Sequence, residues 1–382
     1  MNILIKSFLL TFIFTFALIT KGMVERILLS ICFVSLGIYF IKNKNNVYKD
    51  KTNCKSLLKG IIFSYLIVII LLLYFQYSPK EGYIVTNYVS NTKTAVILVF
   101  QGEPTTYNIP LATKNFMQKH SWWKTPILPF ALFKEKLSYE KVDVAASVHY
   151  NNERLIYQLK EELGGDYNVY AGYSANTPYL IESINQALEE GNQYIIISPV
   201  LLTECKDFTA ITNQVKQLNL QQYRVEPQMI EALWNSEAIA KSFVKQINDF
   251  TTNVHRQNTG IVLIGSEMEE SLPHIKQDVL FRERVKDYLI KEGYNNNKIE
   301  LTFLHKKSIV DAIEGLMVYG VGEIILLSTT TEAYQMHNYL TVEKVLEGLE
   351  PPYGVKIHRV NPWKFNDAIV KELSRRILLK NL

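Results

Sequence analysis

Gly60 to Tyr74, GIIFSYLIVIILLLY, is the stretch that most restricts this chain. It carries no charge, and with its flanks it is long enough to cross a bilayer as a helix. Two shorter apolar runs precede it, Ser7 to Thr20 and Ile27 to Ile41. Each reaches spanning length only if interfacial residues such as Lys21 and Arg26 snorkel. The first run also reads as a signal peptide with Lys6 as its basic start, although no clear small-x-small cleavage site follows. Residues 1–77 are therefore expected to hold two to three transmembrane helices, with the lipid bilayer as partner. The loop before the third run carries Lys42, Lys44, Lys49, Lys51, Lys55 and Lys59 against Asp50. Such a loop stays cytoplasmic, so the third run exits outward and the globular part is expected to be extracytoplasmic.

Residues 78–93 read as a polar linker. The net charge of +4 is too small for a nucleic-acid surface. Cys32, Cys54 and Cys205 form no disulfide framework and no zinc motif. From Ala95 onward, strand-like and helix-like patterns alternate. Expected strands in the first half are Ala95–Phe100, Val142–Val148, Asn168–Ala171, Tyr194–Ile197 and a short one near Tyr223. Ile230–Phe250 reads as a long closing helix. Expected strands in the second half are Ile261–Ile264, Ile299–Leu304, Glu323–Leu327 and Tyr353–Ile357. Continuous apolar strands between helices predict parallel sheets covered on both faces. The expected fold class is α/β: two doubly wound Rossmann-like lobes, 94–255 and 256–382, preceded by N-terminal transmembrane helices. Asn115–Tyr139, rich in Trp, Phe and Pro, reads either as an apolar lip against a bilayer or flat ligand, or as a packed helical hairpin.

In such folds, ligands gather where strands end. The strand Ile261–Ile264 ends in Gly265, Ser266, Glu267, Glu269 and Glu270, so that edge is acidic; a solvated acidic loop is the plain alternative. Other strand ends carry Gln101-Gly102-Glu103, His149, Tyr173 and His305. Glycine at position 102 lets a backbone approach a ligand closely, or simply makes a tight turn. Tyr173 and Trp122 or Trp123 are candidates to stack on a flat molecule, or are core aromatics.

Tyr170 to Val200, YAGYSANTPYLIESINQALEEGNQYIIISPV, resembles the first half of ferrochelatases and related tetrapyrrole chelatases. Ser271-Leu272-Pro273 after a strand, Asn361-Pro362 and Phe365-Asn366-Asp367-Ala368 are similar to the family's second half and end. The resemblance covers about residues 94–380 and rests on the order of several short motifs. It implies a chelatase-like fold and the insertion of a divalent transition metal, iron or cobalt, into a porphyrin, as in heme biosynthesis. In the family, a histidine in a Ser-Ala-His turn takes pyrrole protons or binds metal. That place falls here on Glu267 or Glu270, depending on the anchor. The second catalytic position falls at about Gln335, with His337 two residues on. In cobalt-inserting relatives a glutamate ligand falls near Leu304, beside His305. The small chelatases' His-Gly-Ser turn corresponds to Gln101-Gly102-Glu103.

Metal insertion needs a base for two N–H protons, and a desolvated Glu267 or Glu270 suits that role. His305 and His149 are the candidate metal ligands; a loop histidine bonded to backbone is the alternative for each. Two functions follow. One is a membrane-anchored lyase of the chelatase type. The other, favoured by the replaced histidine and by glutamine at position 335, is a catalytically inactive module that binds haem, porphyrin or metal on the same fold.

Overall fold

The computed structural model describes residues 3–43, 51–78, 91–102, 104, 106–141, 144–218, 220, 225, 227–251, 255–266, 273–330, 336–350, 354–360, 363 and 366–381. The chain divides into two compact units, Met1–Ser78 with Pro104–Asp143, and Pro79–Glu103 with Val144–Leu382.

The first unit is helical. It comprises α1 (Ile3–Ile19), α2 (Met23–Asn43), α3 (Lys51–Tyr74), α4 (Ile109–Lys119), a 3-10 turn (Trp122–Ile127) and α5 (Leu128–Lys141). Helices α1 and α3 run side by side in the same direction. Near the start of α1, a Cβ on Gly60 of α3 would stand 2.0 Å from Ser7 Oγ; further along both helices, Ile19 clusters with Val68 and Leu72. A small residue at this crossing lets the two backbones approach. Among the described residues one helix, Lys55–Tyr74, is long and apolar enough to cross a membrane, and Leu4–Ile19 is a shorter apolar helix.

The expected lobe 94–255 is interrupted. Residues 104–143 leave it for the helical unit, because Ala112, Phe116, Leu128 and Leu132 bury against Ile19, Val68 and Leu72. Asn115–Tyr139 accordingly folds as a helical hairpin. Buried Lys136 pairs with Glu25 and also donates to the Leu18 carbonyl.

The second unit holds two parallel sheets. The first has the order β2-β1-β3-β4, built from β1 (Asn91–Phe100), β2 (Tyr167–Tyr173), β3 (Asn192–Pro199) and β4 (Pro227–Met229). The second repeats it as β6-β5-β7-β8, from β5 (Thr259–Ile264), β6 (Ile299–Thr302), β7 (Glu323–Ser328) and β8 (Lys356–Val360). In each, the opening strand is central and the order reverses beside it, which makes a switch point. The intervening helices are α6 (Val144–Leu163), α7 (Leu180–Glu189), α8 (Lys206–Gln217) and α9 (Glu237–Asn248), then α10 (Pro273–Lys291), α11 (Lys306–Val318), α12 (Met336–Glu347) and α13 (Asp367–Lys380).

Two expectations fail here. The described part of Val142–Val148 opens helix α6 instead of forming a strand. Ala145 and Ala146 favour helix, and β1 already has a partner on each side. The long helix expected over Ile230–Phe250 is α9 alone. Ser236 caps its start by accepting from the Ile239 N–H at 3.3 Å.

The inner faces of both sheets share one core. Val96, Leu98, Ile261, Leu263, Ile325 and Leu327 join Phe243 of α9, Phe281 of α10 and Leu373 of α13. The alternate residues face outward onto α7 and α8 in one lobe and α11 and α12 in the other. Helix α13 returns to the first lobe. Arg376 donates to the Glu231 and Ala232 carbonyls, at 3.0 and 2.9 Å, and to Glu372 at 2.6 Å; Asn381 donates to the Tyr167 hydroxyl.

Burial alone would raise the Glu372 carboxyl, but the bonds from Arg375 and Arg376 outweigh it and hold its pKa below the usual range. A lowered pKa stabilises the fold above the unfolded value and loses that contribution as pH falls through the folded one. Glu372→Gln is therefore expected to lower the melting temperature at neutral pH. The gap from wild type should begin to narrow as pH falls below the unfolded carboxyl value of about 4.3 and close only once pH has passed below the lowered folded value, where both chains carry a neutral side chain; a gap independent of pH would remove the charge from the account.

Candidate functional site

The candidate site is the carboxyl edge of the two sheets. In the first lobe this rim is held by backbone. The Gln101 carbonyl accepts from Ser174 Oγ at 2.8 Å and from the Ala175 N–H at 3.1 Å, and its side-chain amide reaches Asp207 on the first turn of α8. Gly102 has φ +54°, and a Cβ there would stand 2.3 Å from Cδ1 of Tyr173. Thus the glycine is required, and what approaches it is the Tyr173 ring.

Tyr173 is buried and also lies 5.7 Å, centroid to centroid, from Phe100. Burial, and then the charge of Glu153, push its hydroxyl up to about 12. As described, it is a core residue at the rim and not an exposed stacking platform.

In the second lobe the rim is held by a buried ion pair. Asp278 Oδ2 accepts from the Ser266 N–H at 3.1 Å, from Ser266 Oγ at 3.3 Å and from Arg282 at 2.9 Å. Arg282 also donates to the Thr302 carbonyl at 2.7 Å and lies over the Phe303 ring. Both charged side chains are essentially inaccessible. They tie the ends of β5 and β6 to α10. Gly265 makes room for them, since a Cβ there would fall 2.3 Å from Asp278 Oδ2 and 2.5 Å from Arg282 Cζ. Buried Thr329 bonds back to the Ile264 carbonyl and accepts from the Trp363 indole at 2.9 Å. The two rims meet where the Glu204 N–H donates to Gln277 Oε1 at 2.8 Å. That bond joins the loop after β3 to the first turns of α10.

The candidate residues fare unequally. Gln101, Gly102 and Tyr173 come together at the first rim. His305 is exposed beyond β6, at the N-cap of α11 on the second rim. His149 lies on the second turn of α6 and not at a strand end. Trp122 lies in the helical unit. Glu103, Glu267, Glu270 and Gln335 lie outside the described residues. Among the described residues no group of three or more His, Cys, Asp or Glu side chains stands ready to hold a metal ion. Asp278 and Arg282, which hold the acidic turn's root, were not singled out from sequence. Their signal is the i, i+4 spacing of opposite charges on the helix after the motif.

No protein-family model matches the chain, and no characterised protein matches it by sequence. Among solved structures it is similar to the sirohydrochlorin chelatase SirB from Bacillus subtilis subspecies spizizenii in complex with cobalt. The identity is 10%, the TM-score 0.48, and the match covers 75% of this chain and 94% of that one. SirB from Bacillus subtilis with Fe3+ gives the same score and coverage at 12% identity. A sugar transporter from Clostridium phytofermentans also matches, at 12% identity, with a TM-score of 0.31 over 75% of this chain and 94% of that one. The strand order and register above carry the fold.

Removing one member of a buried pair leaves the other charge without compensation, which costs about 3–5 kcal/mol. Arg282→Met is therefore expected to lower the melting temperature sharply, and Asp278→Leu with Arg282→Met to recover part of it. A double variant no more stable than the single one would show that the pair has no such coupling. Gly265→Ala is expected to be as damaging as Arg282→Met, because the methyl meets both partners at once.

Proposed function

We propose that this chain is a divergent, membrane-anchored protein of the chelatase type. It binds a tetrapyrrole, a divalent metal ion or both where the carboxyl edges of its two lobes meet. The observation that carries the reading is the Glu204–Gln277 bond, which joins the two rims. The acidic turn 267–270 begins from the second of them. In this reading Glu267 or Glu270 takes the pyrrole protons, and His305, exposed on that rim, meets the metal. Gln335 cannot act as a base and is left a polar contact.

Gly102 favours the second, non-catalytic reading. The close approach that a glycine permits is used by Tyr173, so the first lobe's turn is filled by the protein's own ring. Binding without insertion of metal would then be the function of the same cleft.

The membrane anchor is proposed from α3, with α1 packed along it in the same direction. That arrangement sets the chain's start and the lysine-rich loop at one end and Tyr74 at the other. With the loop cytoplasmic, the lobes lie on the outer face.

Full-length protein in detergent is expected to shift the absorption band of haem or protoporphyrin at micromolar ligand, or to bind ferrous or cobaltous ion in equilibrium dialysis; no shift with either tetrapyrrole and no metal bound would sink both readings. If ferrous or cobaltous ion is inserted, Glu267→Gln or Glu270→Gln should slow it by about a hundredfold or more. Binding with no insertion would select the non-catalytic reading. In intact cells, externally added protease should cut the lobes; a protected domain would overturn the orientation.

A further inference from the structure

The hairpin inserted between β1 and α6 has an inverted surface. Trp122 is 81% exposed, Trp123 64%, Phe130 66% and Ile127 51%. Four large apolar side chains on one tip make a patch that a water-facing turn seldom carries. The tip is also fastened to the apolar helix. Tyr65 of α3 donates its hydroxyl to the Pro126 carbonyl at 2.5 Å, and its ring lies 6.3 Å from that of Phe130. Tyr65 precedes Tyr74, the last residue of α3, by nine residues, so it lies about 13.5 Å back from that end. Half the hydrocarbon thickness of a bilayer is about 15 Å. The hairpin's other end is tied near the end of α3, where the Tyr77 N–H donates to the Pro110 carbonyl at 3.1 Å.

We propose that α4, the Trp122–Ile127 turn and α5 form a re-entrant hairpin that dips into the bilayer beside α3, with Trp122, Trp123, Ile127 and Phe130 against lipid chains near mid-depth. This rests on the membrane-anchored reading above and adds a second inserted element to it.

Two further observations support lipid as the occupant. First, α3 itself exposes Ile62, Phe63, Leu66 and Ile70 on either side of Tyr65, the residue that fastens the tip. Second, several of the tip's polar backbone groups are satisfied within the protein, which is what hydrocarbon favours. The His120 N–H donates to Phe116, the Lys124 N–H to Ser121 and the Leu128 N–H to Thr125; the Thr125 hydroxyl bonds the Trp122 carbonyl, and Tyr65 takes that of Pro126. The one charge at the tip, Lys124, lies 5.5 Å over the Trp123 ring. Its long stem allows the ammonium to snorkel away from the chains.

The test reconstitutes the full chain in phosphatidylcholine vesicles carrying a spin label in mid-chain or at the headgroup. Tryptophan emission is compared between wild type and W122F/W123F; both sites are exposed, so the fold tolerates the change. A Leu66→Trp substitution in that background reports α3 itself. The component lost in W122F/W123F is expected to be quenched on the order of twofold more by the mid-chain label than by the headgroup label. Quenching at Leu66→Trp without quenching of the Trp122/Trp123 component would overturn the hairpin and leave the anchor standing, with protein covering the patch. Quenching at neither place would overturn both.

Discussion

Arg282 and Asp278 are both removed from water, and the carboxyl edge of the second lobe depends on them. Their attraction offsets a desolvation penalty of several kcal/mol for each ion only because the geometry is close and further hydrogen bonds are made. The pair spends its bonds on the ends of β5 and β6, at the Ser266 N–H and the Thr302 carbonyl. A hydrophobic pair of the same volume would hold α10 against the sheet but would leave those polar groups unmet. The acidic turn therefore starts from a rim with little freedom, and Gly265 is part of that device.

The first rim reaches the same end by other means. Gln101 is locked by Ser174, Ala175 and Asp207, and Tyr173 closes over Gly102. The lobes are held as one body by a shared apolar core and by α13, whose Arg376 is bonded to the loop after β4. The two strand edges are thereby fixed relative to each other.

The helical unit obeys the opposite rule. Its apolar side chains cluster in a small interior around Ile19, Val68 and Leu132, and many others face outward. In water such a surface associates; in hydrocarbon it is the ordinary exterior of a helix bundle. The uneven hydropathy along the chain comes from this outward apolar surface. Pro104–Asp143 belongs to this unit, and the sheet it departs from already has β2 and β3 on either side of β1.

Sequence alone determined the alternation of strands and helices, the parallel sense of both sheets and the apolar character of the first helices. These are periodic, local properties, and β1, β5 and β7 lie within a residue or a few of where the pattern puts them. Only the tertiary structure decided what each segment meets. Val142–Val148 has the apolar content of a strand, but the places beside β1 were taken by β2 and β3, residues far away in the chain. Tyr173 reads as a stacking candidate or, more commonly for such an aromatic, as core, and Gly102 beneath it shows core. The Asp278–Arg282 spacing is visible in the sequence, yet burial of both charges is set by strands that lie on either side of α10 in the chain. Partner and burial are long-range quantities, and no window of local sequence contains them.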